Sequence, residues 1–197
     1  MRNKAMKHSS SQILWAHWNA LRSADGIPER RDIDPGALRG ALSDIFILSF
    51  DRQTGHPFRL AGTRACTLFC RELRGTGFLN LWGDGDGTEV SRLVSLAAEE
   101  STGFVAAVTG SADYQASLEL ELTLLPLRHH GRTHSRLIGS LAPLRAPYWL
   151  GLHPLRSLAF GRYRYLEPTL ATPAPVYSPP PRRANAEPLR VYQGGKR

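Results

Sequence analysis

Apolar residues recur along this chain with two different periods, and the switching between them outlines a small α+β domain. From Ser11 to Arg22, Leu14, Trp18 and Leu21 fall at i, i+4 and i+7, while Ile13 and Trp15 lie off that stripe. The spacing predicts a helix with two apolar sides. Gly26-Ile27-Pro28 ends it, and Asp34-Pro35 offers an N-cap followed by Pro at the first helical position for a short helix through Arg39. Ser43 to Asp51 is apolar at both alternating sets, Ile45 and Ile47 on one and Phe46, Leu48 and Phe50 on the other, so an inner strand covered on both sides is expected. A polar turn leads to a second strand, Pro57 to Ala61, paired with the first as a hairpin.

The stretch from Pro57 to Trp82 reads as strand, turn at Gly62-Thr63, short amphipathic helix and glycine-punctuated loop. A flexible acidic run from Gly83 to Thr88 then precedes a helix from about Glu89 to Glu100, with Val90, Leu93, Val94 and Ala97 on one stripe. Three strands are expected next, Gly103 to Gly110, Ser117 to Leu127 and Ser135 to Leu144. In the second, Leu118, Leu120, Leu122 and Leu124 alternate with Glu119, Glu121 and Thr123, which marks one buried and one wetter face. Beyond residue 144 periodicity disappears, and Pro168 to Pro181 reads as an extended or disordered linker. The expected division is a disordered N-terminus over 1–10, one folded domain over 11–144 that includes the N-terminal helix, and a basic, Pro-rich, largely irregular tail over 145–197.

Composition narrows the partners. Of 197 residues 42% are hydrophobic, and no apolar run approaches the roughly 20 residues that a membrane span needs. The polar N-terminus has no secretory h-region, so the expected location is the cytoplasm. The net charge of +8 is uneven: residues 1–144 carry 16 Lys and Arg against 15 Asp and Glu, whereas residues 145–197 carry 9 against 2. A near-neutral body argues against a folded nucleic-acid-reading surface and leaves an electrostatic tail. The two cysteines, Cys66 and Cys70, read as buried free thiols in a reducing compartment.

The order of elements matches a PAS domain, and particular residues carry a closer likeness. Leu14-Trp15 with Trp18 and Leu21-Arg22, Ile27-Pro28 with Arg30, Asp32-Ile33-Asp34-Pro35, Phe46 to Leu48, Phe58 to Thr63, Phe69, Arg71-Glu72-Leu73, Gly75 and Leu81-Trp82 together resemble a bacterial family of small single-domain PAS proteins. The likeness covers roughly residues 11 to 144. It departs at Cys70, where a small Gly is expected, and at Ala41 to Asp44, which replaces a more apolar approach to the first strand. The resemblance implies a five-stranded antiparallel sheet with helices on one face, the first strand central, plus the N-terminal helix and the Pro-rich tail. It further implies a non-enzymatic sensory or regulatory protein that acts through protein–protein contacts, as a homodimer signalling to a separate partner. Phe46, Leu60, Phe69, Phe78 and Leu93 are then the candidates to line a cleft that takes a small ligand or is filled by its own side chains. Asp32, Asp34, Pro35, Arg59, Gly62, Thr63, Arg71, Glu72, Gly75 and Trp82 form a structural signature. Leu14, Trp15 and Trp18 either cap the domain's own core or form a dimer interface.

No residue is assigned a catalytic or metal-binding role. Asp32 and Asp34 read as cap and loop anchors, and Arg59 with Arg71-Glu72 as an ion pair locking strand to helix. His129, His130 and His134 lack the spacing of a zinc site and read as a solvated loop. The Asp84 to Glu89 run places Glu89 where a calcium loop needs its Gly. No cofactor is indicated, since the long helix holds no histidine for haem and Ala65-Cys66-Thr67 is unlike the Asn-Cys-Arg motif of flavin photosensors. The alternative function is binding of nucleic acid or an anionic surface through Arg182-Arg183, Arg190 and Lys196-Arg197 in the tail.

Overall fold

The first strand, β1 (Ile45–Ser49), is buried at every position, because its two alternating apolar sets are each covered by a different layer. Phe46 and Leu48 enter one hydrophobic cluster and Ile45 and Ile47 another. The computed structural model describes residues 6–22, 26–83, 85–113 and 116–166, apart from the side chains of residues 132–134. Along the chain follow α1 (Ser9–Ala20), β1, β2 (Phe58–Ala61), α2 (Thr63–Leu68), α3 (Asp86–Glu99), β3 (Gly103–Ala112), β4 (Ser117–His129), β5 (Arg132–Pro143) and β6 (Leu155–Leu166). Two short 3-10 turns, Arg30–Asp32 and Phe78–Leu81, fall between them.

The strands form one antiparallel sheet in the order β2-β1-β5-β4-β3-β6. The sheet has six strands rather than five. The added strand lies where the chain was expected to turn irregular: Leu155 and Leu158 are buried, and β6 pairs along β3 from Gly103↔Leu166 to Ala112↔Leu155. Its apolar residues are interrupted by Arg156, Arg162 and Arg164, which hid the strand period in a basic segment. The first strand sits inside the sheet but not at its centre, which belongs to β5 and β4. Residues 167–197, with the Pro-rich run and the basic pairs, lie outside the described residues.

Each face of the sheet is covered differently. On one side α2, the Phe78–Leu81 turn and α3 pack over Phe46, Leu48, Phe104, Leu120, Leu122 and Leu124. On the other, α1 packs over Ile45, Ile47, Val105, Leu125 and Ile138. The segment after Pro35 forms successive turns instead of the expected helix, with Leu38, Arg39 and Ala41 amides donating to carbonyls three residues back. Gly36 and Gly40 weaken helix propagation there, while Asp34 Oδ1 still accepts from the Gly36 amide at 2.8 Å as a cap residue should.

One glycine is fixed by crowding. At Gly62, between β2 and α2, a Cβ would lie 2.2 Å from the Leu42 carbonyl oxygen and 2.5 Å from that of Ser43, both rigid backbone atoms. Gly87 in α3 has nothing within 4 Å. Gly62→Ala should therefore cost about 2–3 kcal/mol, whereas Gly87→Ala should gain about 0.5 kcal/mol by stiffening the unfolded chain. Urea denaturation of the two variants checks both signs.

Candidate functional site

The layer between the sheet and α3 is built from aromatic rings. Phe46 and Phe58 have centroids 5.4 Å apart, and Phe78 lies 5.8 Å from each. Trp82 continues the chain edge-on, 5.6 Å from Phe78 and 5.7 Å from Phe160 of β6. The sheet makes room for this stack at Gly139 of β5, where a Cβ would come 2.3 Å from the Phe46 ring. Offset and edge-to-face contacts of this kind add to the hydrophobic gain from burial.

Of the five cleft candidates, Phe46, Phe69, Phe78 and Leu93 meet in this one cluster. Leu60 does not. In the β1–β2 ladder Phe46 pairs with Ala61 and Ile47 with Leu60, so Leu60 follows Ile47 to the other face and stays 44% exposed at the sheet edge. Register decides this, and one residue of slip exchanges the faces.

Two buried donors in this region have no hydrogen-bond partner among the described residues, Trp82 Nε1 and His56 Nε2. The His56 ring stacks on Phe50 at 5.1 Å, and its Nδ1 accepts from the Asp51 amide, which leaves the ring proton on Nε2. Burial pushes the His56 pKa down and the charge of Arg52 adds to this, with Asp51 opposing.

The polar centre of the domain is Asp44, a residue that the sequence pattern marked only as an unusual approach to β1. Its carboxylate is fully buried. It accepts Arg64 Nε and Nη2 from α2 as a fork, each at 2.5 Å, and Ser10 Oγ from α1, also at 2.5 Å. The hydrogen bonds to Asp44 raise the Arg64 pKa. A charged residue directly ahead of a doubly apolar strand was the available signal, since a carboxylate carried into a core must bring its partner.

On the α1 side, Leu14, Trp15 and Trp18 are buried in the chain's own core. Trp15 and Trp18 stack at 5.4 Å, Trp18 Nε1 donates to the Pro126 carbonyl at 2.8 Å, and the Arg22 guanidinium sits 5.1 Å from the Trp18 ring. Glu121, buried in β4, accepts the amides of Lys7 and His8 ahead of α1.

Several signature residues make local backbone contacts. Asp32 and Glu29 cap the Arg30–Asp32 turn reciprocally, and the Asp34 amide donates to His17 Nε2 at 3.2 Å. Pro35 opens the turn run and Thr63 opens α2, accepting Thr67 Oγ1 at its carbonyl. Gly75 needs its glycine for a φ of +83°. The expected Arg59 to Glu72 pair is absent among the described ion pairs, and Arg71 is exposed. Arg59 donates instead to Ser49 Oγ at 2.6 Å, while Glu72 accepts the Leu73 and Arg74 amides and the Cys66 thiol. Cys66 is half-buried, its pKa raised chiefly by burial, and Cys70 is exposed at φ +50° beyond the end of α2, so neither is the fully buried thiol expected. His129 and His130 lie with rings 4.1 Å apart, and the side chain of His134 lies outside the described residues. Among the described residues no group of three or more His, Cys, Asp or Glu converges. No described helix is long and apolar enough to cross a membrane.

A protein-family model described as a PAS domain matches residues 6–142. The chain belongs to the PAS domain family. Similar solved structures include a light-oxygen-voltage domain studied with a flavin analogue, at 16% identity over 57% of this chain and 85% of that one, with a TM-score of 0.45. A light-oxygen-voltage protein of Rhodobacter sphaeroides matches at 12% identity, 55% and 63% coverage and TM-score 0.43. The PAS domain of an HTR-like protein from Haloarcula marismortui matches at 13%, 55% and 89%, with a TM-score of 0.42. No curated protein matches the chain.

Two measurements follow from the buried polar groups of this PAS domain. Arg64→Gln leaves the Asp44 carboxylate short of its cation and should cost about 2 kcal/mol, less than a fully buried pair because Arg64 is 40% exposed. A double-mutant cycle with Asp44→Asn in urea should show strong coupling. For His56, the fold favours the neutral ring, so the folded protein binds fewer protons than the unfolded one. Its contribution is present above the ordinary His pKa and is lost as pH falls from there through the lowered folded value. Stability of the native chain should drop across that window more steeply than that of His56→Asn.

Proposed function

We propose that this PAS domain is a non-enzymatic sensory or regulatory module that works through protein–protein contact. The observation that supports this reading is the open half of the sheet on the α1 side. α1 lies across β4 and β5. On β3, Ala107, Thr109 and Ser111 continue the side that begins with buried Val105, yet all three are exposed. Arg162 and Arg164 of β6 are exposed beside them, and with Lys7 and Ala107 they border a depression of about 330 Å³. A small-residue sheet face with a basic rim suits docking of a second copy or of a separate signalling protein.

The opposite layer favours packing over capacity. A small ligand held there has to displace rings of the Phe46, Phe58 and Phe78 stack, and it would find the Nε1 of Trp82 and the Nε2 of His56 as ready donors. Free thiols at Cys66 and Cys70 accord with work in the cytoplasm.

Native mass spectrometry of the full chain tests the reading. A homodimer is expected, and Ala107→Glu should convert it to monomer without changing the circular dichroism of the fold. A ligand-free monomer in the native chain, or a dimer indifferent to Ala107→Glu, would overturn the sheet-face assignment.

A further inference from the structure

Four arginines lie together at the β2 edge of the sheet, with no carboxylate among the described residues that line the same depression. Arg30 comes from the 3-10 turn, Arg59 from β2, Arg74 from the segment after α2 and Arg136 from β5, and with His129 they line an open depression of about 420 Å³. Its apolar lining is Ile47 and the exposed side of Leu60.

None of these four arginines takes part in the described ion pairs, which join Arg31 to Asp32, Arg52 to Glu99, Arg64 to Asp44, Arg92 to Glu89 and Arg156 to Asp113. The neighbouring carboxylates accept backbone amides, Glu29 from Gly131 at 2.9 Å and Glu72 from Leu73 and Arg74 at 3.0 and 3.1 Å, and they offset part of the positive charge, Glu72 toward Arg74 and Glu29 toward His129. The cations act on one another: burial and the charge of Arg59 lower the Arg136 pKa, and burial followed by Arg136 lowers that of His129 on the same rim. Like charges gathered over an apolar floor are a cost to the folded chain that an anionic ligand would relieve. Guanidinium forks match phosphate oxygens two at a time, and Arg59, whose Nε is engaged by Ser49, keeps its terminal nitrogens for such a ligand.

We propose that this depression binds an organic phosphate, with the phosphate group among Arg30, Arg59, Arg74 and Arg136 and the ring or apolar body of the ligand against Ile47 and Leu60. More than one negative charge is implied, since four guanidinium groups exceed what a single carboxylate neutralises. The site lies apart from both the aromatic layer and the open β3–β6 face. Its failure therefore leaves the protein-contact reading standing.

Isothermal titration of the full chain with ADP, at fixed ionic strength of about 0.1 M, tests the proposal. Submillimolar binding is expected, weakened about tenfold by Arg74→Gln and further by Arg59→Gln with Arg74→Gln. Arg74 is exposed, and an unchanged urea midpoint in Arg74→Gln separates lost binding from lost folding. Arg182→Gln with Arg183→Gln in the tail should leave the titration unchanged. Loss of binding in the tail variant but not in the Arg59 and Arg74 variants overturns the assignment, as does the absence of ADP binding. Pyrophosphate binding as tightly as ADP overturns the organic part of it. Short duplex DNA binding more tightly than ADP, with affinity falling steeply with salt, points to a nucleic-acid surface and overturns it as well.

Discussion

Burying one carboxylate at the mouth of β1 is the constraint around which this domain is arranged. Asp44 has no access to water, so its charge must be met inside the chain, and the partners come from two different elements. Arg64 draws the first turn of α2 against the entrance of β1, and Ser10 draws the first turn of α1 from the opposite layer. The same entrance is where Gly62 lets the chain pass within contact of the Leu42 and Ser43 carbonyls, and where the Arg64 and Ala65 amides bond to Ser43. Unlike hydrophobic burial, which tolerates sliding, a buried carboxylate forked by a guanidinium holds only in one geometry. The two layers on either side of the sheet are therefore tied in register at a single point.

From that point the layers differ in kind. The α3 side is a continuous aromatic and aliphatic core that runs from Phe58 through Phe78 and Trp82 to Phe160. The α1 side is mixed: the Trp15 and Trp18 pair is apolar, but Glu121, Ser140 and Ser11 carry polar contacts beneath the start of the helix. Because α1 crosses only part of the sheet, one face of β3 and β6 is left uncovered by the described residues. The added strand β6 both widens that face and seals the aromatic layer through Phe160 and Leu158. Two surfaces of different character result, one flat and small-residued, the other lined by arginines at the far edge.

Much of the candidate site was legible because burial follows period. Phe46 sat on one apolar set of β1 and Leu93 on the stripe of α3, and they meet in one cluster with Phe69 and Phe78, which no local period placed. Leu60 was misplaced because a short edge strand alternates correctly in either register, and pairing with Ile47 is a property of the ladder. The arginine rim was invisible for another reason. Arg30, Arg59, Arg74 and Arg136 are scattered through a body whose charges nearly cancel, so summing along the chain erased a cluster that exists only in space.

The sequence by itself determined the order of elements, the doubly covered β1, the signature that places the chain in the PAS family and the apolar stripes of α1 and α3. Those follow from local periods and from turn chemistry, which act over a few residues. Tertiary structure decided the rest: that Leu155–Leu166 is a sixth strand, that Trp15 and Trp18 face inward, that Leu60 faces outward, and that Asp44 is the shared anchor. Each of these depends on which segment lies alongside which. Hydrogen-bond pairing, charge compensation and burial on a chosen face are settled between residues tens of positions apart, beyond the reach of any local pattern.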